Sequence, residues 1–256
     1  MISIIGIPSD KNSSFLKGAS KGPPIIMKEF HSESSNLYTE SGINLNEKSF
    51  FKYNGCLRLS DRDDEYEQIK KTIIDELKNN NRCISIGGDH SITYPIISAY
   101  SLFYKQLNIL HFDAHPDLYH NFEDNPFSHA SPFARIMENN LVKSLTQVGI
   151  RTMNSHQKDQ AEKYNVQVIH MAQFDSTMQF DFDGPIYISI DLDALDPAFA
   201  PGVSHPEPGG LTTRDILNTL SKINGKVIGG DIVEYNPEKD FQNTTAITAS
   251  KILKEL

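Results

Sequence analysis

Three apolar runs in this chain end directly in acids and imidazoles. Residues 107–112 lead into Asp113-Ala-His-Pro-Asp117, residues 82–86 lead through Gly87-Gly88 into Asp89-His90, and residues 185–190 lead into Asp191-Leu-Asp193. Short apolar runs of this kind read as strands buried on both faces, which occur in parallel sheets covered by helices. In open parallel sheets, ligands collect outside the carboxyl ends of the strands. The three motifs together predict an α/β fold that carries its chemistry at one end of a parallel sheet.

The remaining chain supplies the alternation such a fold needs. Residues 1–7 read as a first strand, and Pro23 and Pro24 favour a helix start with Ile25, Ile26 and Phe30 able to face a core. A strand over 50–59 precedes a helix capped by Ser60 or Asp61, in which Tyr66, Ile69, Ile73, Ile74 and Leu77 recur at three- and four-residue intervals. Gly87 and Gly88 allow a tight turn that places Asp89 and His90 at a strand end, and a helix resumes near Ser91 with Pro95 in its first turn. Ser131-Pro132 reads as an N-cap and first helical residue ahead of Phe133, Ile136 and Met137. Strands over 145–150, 166–169, 185–190 and 226–228 and helices over 213–223 and 245–256 continue the pattern, whereas residues 31–48 show no assignable period. No proline- or serine-rich linker interrupts the chain, so a single domain over residues 1–256 is expected.

A net charge of −9 speaks against a nucleic-acid partner, whose usual footprint is a basic stripe. No apolar run approaches the roughly 20 residues that span a bilayer, so no membrane partner is expected. Residues 1–7 lack a basic region and read as a strand rather than a signal peptide. Of the two cysteines, Cys83 lies inside an apolar run, which suggests reduced thiols and a cytoplasmic location.

If the strand over 107–112 stays extended, Asp113, His115 and Asp117 point into one space, because side chains two apart share a side. Two carboxylates and an imidazole converging on one point need a cation. With His90, Asp191 and Asp193 added, the strand ends supply four carboxylates and two imidazoles. An oxygen- and nitrogen-rich set without thiolate suits Mn²⁺ better than structural Zn²⁺. Two divalent ions would balance the four aspartates and leave a shared water easy to ionise. Asp113 and Asp191, the first acid of each alternating motif, are the natural bridges.

These motifs resemble the ureohydrolase family, which comprises arginases, agmatinases and their relatives. The similarity runs through Gly18-Ala-Ser-Lys-Gly-Pro23, Gly-Gly-Asp-His-Ser at 87, Asp-Ala-His-Pro-Asp at 113, the stretch 189–202, and Asp231-Ile-Val-Glu-Tyr-Asn-Pro237. The resemblance implies a three-layer α/β/α sandwich on a parallel, roughly eight-stranded sheet, assembled as a homotrimer or homohexamer. It implies two Mn²⁺ ions, one held by His90, Asp113, Asp117 and Asp191 and the other by Asp113, His115, Asp191 and Asp193. It also assigns Glu234 to the substrate guanidinium, Asp117 to proton transfer and His129 to a proton shuttle, although Ala130 follows His129 where the family commonly has glycine. His111 is expected on the opposite face of its strand, and His120 and His205 are expected to have no catalytic role.

The substrate would be a cationic guanidino compound. Residues 118–128 lack the Asn, Thr and Ser pattern of animal arginases, and Glu123 and Asp124 would repel a carboxylate if they faced it. Asn154 stands where animal arginases place an acid for the α-amino group. The lack of a carboxylate-binding pattern favours agmatine, which has no carboxylate, with arginine next and then guanidinobutyrate or formiminoglutamate, although the stretches around His129 and 197–205 look most like plant-type arginases. A metallophosphatase is disfavoured by motif order, a one-zinc deacetylase fold by the six ligands, and a catalytically silent regulator by the absence of any lost ligand.

Overall fold

The computed structural model describes residues 1–47, 50–60 and 64–256. Its centre is an eight-stranded parallel sheet in the order β2-β1-β3-β8-β7-β4-β5-β6. The strands are β1 (Ile2–Gly6), β2 (Phe51–Cys56), β3 (Arg82–Ile86), β4 (Asn108–Phe112), β5 (Ser144–Ile150), β6 (Gln167–His170), β7 (Phe180–Asp191) and β8 (Ile223–Val233). Seven α-helices accompany them among the described residues: α1 (Gly22–Phe30), α2 (Glu65–Lys78), α3 (Thr93–Tyr100), α4 (Pro132–Glu138), α5 (Ser155–Lys163), α6 (Thr213–Ser221) and α7 (Thr244–Glu255).

Strand alternation sends side chains into two separate cores. Ile4, Ile84, Leu110 and Ile188 pack with Ile26 and Phe30 of α1, Ile216 of α6 and Ile252 of α7. Ile5, Cys83, Ile109 and Tyr187 pack on the other side with Ile73 of α2, Ile97 of α3, Phe133 of α4 and Ala161 of α5. Helices therefore cover both faces, as a parallel sheet requires. This is the expected three-layer α/β/α arrangement.

Several boundaries differ from the sequence reading. The cap of α2 is Asp64, not Ser60; Asp61 lies outside the described residues. β7 and β8 are much longer than the apolar runs 185–190 and 226–228, because glycines interrupt the hydrophobic pattern without interrupting the strands. Gly229 is required for close approach: a Cβ there would lie 2.1 Å from the Tyr100 hydroxyl. No helix or strand is formed by residues 31–47, consistent with their lack of period.

The four middle strands β3, β8, β7 and β4 bring their carboxyl ends side by side. The loop after β1 closes over that end through Gly88, whose N–H donates to the Ile7 carbonyl, while Asp89 N–H donates to the Ser9 carbonyl. A Cβ on Gly88 would fall 1.8 Å from the Ser9 oxygen. Gly88→Ala is accordingly expected to cost at least about 2 kcal/mol, read as a lower denaturation midpoint; an unchanged midpoint would show that this loop yields freely.

Candidate active site

The convergence foreseen for Asp113, His115 and Asp117 is present, but not through an extended strand. β4 ends at Phe112, and Asp117 sits at φ +48, a left-handed conformation that a short polar side chain tolerates. The turn aims Asp117 at His90. His90 Nδ1 lies 3.1 Å from Asp191 Oδ2, 3.2 Å from Asp117 Oδ2 and 3.3 Å from Asp113 Oδ2. A second group forms beside it, with His115 Nδ1 3.1 Å from Asp193 Oδ2 and 3.5 Å from Asp113 Oδ1. Asp113 thus gives one carboxylate oxygen to each group.

The tautomer of His90 follows from its other nitrogen. Ser189 spends its hydroxyl hydrogen on Asp231 Oδ1 at 2.7 Å, so Ser189 Oγ accepts from His90 Nε2–H at 2.9 Å. Tyr187 and Thr93 hydroxyls donate to the second oxygen of Asp231, which fixes the whole chain of contacts. Neutral His90 then turns its Nδ1 lone pair towards three carboxylate oxygens. Such an array is repulsive until a proton or a metal ion occupies it.

The titration directions express the same conflict. Burial opposes a charged His90, yet Asp113, Asp117 and Asp191 raise its pKa well above the usual imidazole value. Burial likewise opposes the charge on His115, but Asp193 and Asp113 carry it up to about 12. Burial and the neighbouring Asp113 push Asp117 up to about 7. Burial, Asp193 and Asp113 raise Asp191 well above the carboxylate range. The donor set is hard, contains no thiolate and carries excess negative charge, so it fits divalent cations of the Mn²⁺ type.

His111 corrects the sequence reading. It shares the parity of Asp113, not the opposite face, and its Nε2 lies 2.8 Å from Asp113 Oδ2. Gln147 donates to His111 Nδ1 at 3.0 Å, so the hydrogen resides on Nε2 and is given to Asp113. Burial lowers the His111 pKa to about 4, leaving a neutral donor that orients Asp113. His120 is mostly exposed and contacts Arg135 on the surface.

Glu234 follows β8 at φ +66, anchored by its N–H to the Gly88 carbonyl. Its Oε1 accepts from His90 N–H and from His129 Nδ1, each at 2.8 Å. Burial works against both charges in the pair, but His129 lowers the Glu234 pKa and Glu234 lifts that of His129 to about 9. The far nitrogen of His129, Nε2, is 2.8 Å from Ser14 Oγ. Sequence reasoning passes over Ser14 as an ordinary turn residue. The available signal was the Asn12-Ser13-Ser14 cluster directly beyond the first strand, which Asp89 holds through Asn12 N–H and the Ser13 hydroxyl.

These groups line a cavity of about 200 Å³, whose walls include Asp117, His129, Asp191, Asp193 and Glu234 together with Tyr119, Thr152, Gln157 and His205. A larger cavity lies elsewhere, between α2, α3 and α4, and contains none of the convergent acids. Asn154, considered from the sequence as a substrate contact, instead caps α5 through Gln157 N–H and donates to the Tyr119 hydroxyl at 2.7 Å.

Comparison with known proteins decides the family. The family model described as the arginase family matches residues 1–256. The chain belongs to the arginase family. It is 40% identical over 277 residues to "Arginase, mitochondrial" of Medicago truncatula, covering 99% of this chain and 80% of that one. It is 31% identical over 264 residues to an N(1)-aminopropylagmatine ureohydrolase of Thermus thermophilus, covering 98% and 87% respectively. Among solved structures, the arginase from Medicago truncatula superposes with a TM-score of 0.95 at 40% identity, covering 100% of this chain and 86% of that chain. As an arginase-family member the protein is a metal-dependent hydrolase of guanidino C–N bonds.

The family relatives also overturn the cytoplasmic expectation. The Medicago relative is named mitochondrial, and a 39% identical relative from Arabidopsis thaliana is named "Arginase 2, chloroplastic/mitochondrial". The reason lies in the weakness of the original signal. Cys56 and Cys83 are both free, as expected, but reduced thiols and an acidic charge do not distinguish the cytosol from an organelle interior. Among the described residues no helix is long and apolar enough to cross a membrane.

Proposed function

We propose that this protein hydrolyses L-arginine to ornithine and urea with two Mn²⁺ ions, one bound by His90, Asp113, Asp117 and Asp191 and the other by Asp113, His115, Asp191 and Asp193. The observation carrying this reading is the division of Asp113, Oδ2 towards His90 and Oδ1 towards His115. When bound, the ions would supply Lewis acidity and a water ionised near neutral pH. Glu234 holds the planar guanidinium with the carboxylate oxygen that His90 and His129 leave available. Asp117 takes the proton of the attacking water and passes it to the leaving amine. His129 then exchanges protons between the cavity and solvent.

Part of the case for agmatine over arginine is the charge of Glu123 and Asp124. Both occupy a left-handed turn, are exposed, and are not among the residues that line the cavity. The arginase names of the 40% identical plant relatives support L-arginine. Agmatine is the second reading, supported by the name of the Thermus relative. Urea release from L-arginine, agmatine and 4-guanidinobutyrate, with the protein saturated in Mn²⁺, tests the proposal. L-arginine is expected to give the highest kcat/KM, and no urea from any of the three would reject guanidino hydrolysis.

Ser14 supplies a finer test. Its hydroxyl faces the His129 nitrogen that Glu234 leaves free, so Ser14→Ala should lower kcat about five- to tenfold, as loss of one hydrogen bond would, with little change in KM. Ser14→Thr should recover most of that loss. Equal defects in both variants would assign the effect to packing.

A further inference from the structure

We infer that Asp231 is a positioning residue for the metal centre: through Ser189 it dictates which nitrogen of His90 carries the hydrogen, and so whether the other can bind an ion. This rests on the reading of His90 as a metal ligand and deepens it. Asp231 is a fully buried carboxylate that is not among the residues lining the cavity and has no part in the proposed hydrolysis. It lies on β8 directly beside Ser189 of β7.

The hydrogen bonds run in one direction. Asp231 Oδ2 accepts the hydroxyl hydrogens of Tyr187 at 2.8 Å and Thr93 at 2.9 Å, and Oδ1 accepts that of Ser189 at 2.7 Å. A carboxylate only accepts, so Ser189 has no hydrogen left for His90 and receives one from Nε2 at 2.9 Å. The Nδ1 lone pair is thereby left facing Asp113, Asp117 and Asp191. Asp231, Ser189, His90, Tyr187 and Thr93 are all fully buried, so bulk solvent supplies no competing donor or acceptor along this chain.

Asp231→Asn reverses this order while keeping the shape of the side chain. The amide oxygen retains two of the three bonds by staying with Tyr187 and Thr93, which turns the N–H₂ towards Ser189. Ser189 Oγ then accepts from the amide, and its own hydrogen finds an acceptor only if His90 Nε2 presents a lone pair. That places the imidazole hydrogen on Nδ1, where it satisfies the surrounding carboxylates and occupies the position of the ion. Metal binding through Nδ1 would instead return the hydrogen to Nε2 and leave a buried hydroxyl hydrogen unpaired, which is costly. The carboxylate at 231 removes that conflict before any ion arrives.

Calorimetric titration of the metal-stripped protein with Mn²⁺ tests this without turnover, so the result does not depend on which guanidino compound is cleaved. Asp231→Asn should weaken one Mn²⁺-binding step about tenfold to a hundredfold, the usual effect of altering the groups behind a metal-binding histidine, with an unchanged circular dichroism spectrum. Ser189→Ala leaves the Nε2 hydrogen unpaired and should weaken the same step about fivefold or more. It also removes the link, so adding Asp231→Asn to Ser189→Ala should change Mn²⁺ affinity by less than about twofold, the scatter of non-interacting changes. A loss that persists in the Ser189→Ala background would assign Asp231 to packing and overturn the inference, as would Asp231→Asn protein that binds Mn²⁺ like wild type. Unchanged affinity in Ser189→Ala would overturn it even if Asp231→Asn failed to fold. Absence of Mn²⁺ binding by the wild-type protein would reject the metal centre itself, and this inference with it.

Discussion

Asp117→Asn should lower kcat by about 10²- to 10⁴-fold, the usual worth of a positioned proton-transfer group, while leaving the fold intact. Asparagine matches aspartate in shape but cannot accept the proton of an attacking water. Burial and the charge of Asp113 hold the Asp117 pKa up at about 7 before metal binds, so the metal-free cluster does not keep all of its acids ionised at neutral pH. The backbone supports the same assignment: a left-handed φ of +48 is retained at a residue that also approaches His90 Nδ1 to 3.2 Å. Strain of this kind is kept where a side chain must be aimed. Because Asp117 is also a proposed ligand, urea release must be followed across a Mn²⁺ titration. Activity that returns to within about twofold of wild type at saturating Mn²⁺ would restrict Asp117 to metal binding and reject the proton-transfer role.

The fold was legible because β1, β3, β4 and the inner half of β7 are apolar runs closed by turn residues. It was less legible where glycine hides a strand, as in Gly229-Gly230 of β8, since the pleated surface there must admit Tyr100 and a neighbouring backbone. The site was legible in its residue types. Its geometry was not: Asp117 arrives through a left-handed turn rather than by alternation, and His111 proves to orient Asp113. Ser14 acts through a contact spanning more than a hundred residues of sequence, to His129, and Asp231 acts on His90 from equally far away through Ser189. No local pattern announces such contacts. The rim of the cavity was least legible, because Glu123 and Asp124 are conspicuous in sequence yet are not among its lining residues, whereas Gln157, which is, carries no charge to mark it.

Stripping divalent cations should abolish urea release and lower the melting temperature, and the temperature difference between loaded and stripped protein should widen as pH rises. An ion at about a thousand times its Kd stabilises the folded state by about 4 kcal/mol, enough to move the transition by several degrees. The pH dependence follows from the imidazoles. In the stripped protein His115 titrates at about 12 rather than 6.5 because Asp193 and Asp113 hold its proton against the effect of burial. A raised folded-state pKa means that this stabilisation is complete below about pH 6.5 and declines as pH climbs towards about 12. Metal binding runs in the opposite sense. It needs the His115 and His90 lone pairs, so it displaces their protons and strengthens by about tenfold per pH unit for each proton released. Both effects widen the difference between about pH 6 and pH 9, and proton release should be visible as a buffer-dependent binding enthalpy on Mn²⁺ addition. A difference that stays flat or narrows over that range would mean that neither His115 nor His90 yields a proton to the ion, so neither would be a ligand. Each side of Asp113 would then lack its nitrogen donor, and both proposed metal positions would be lost.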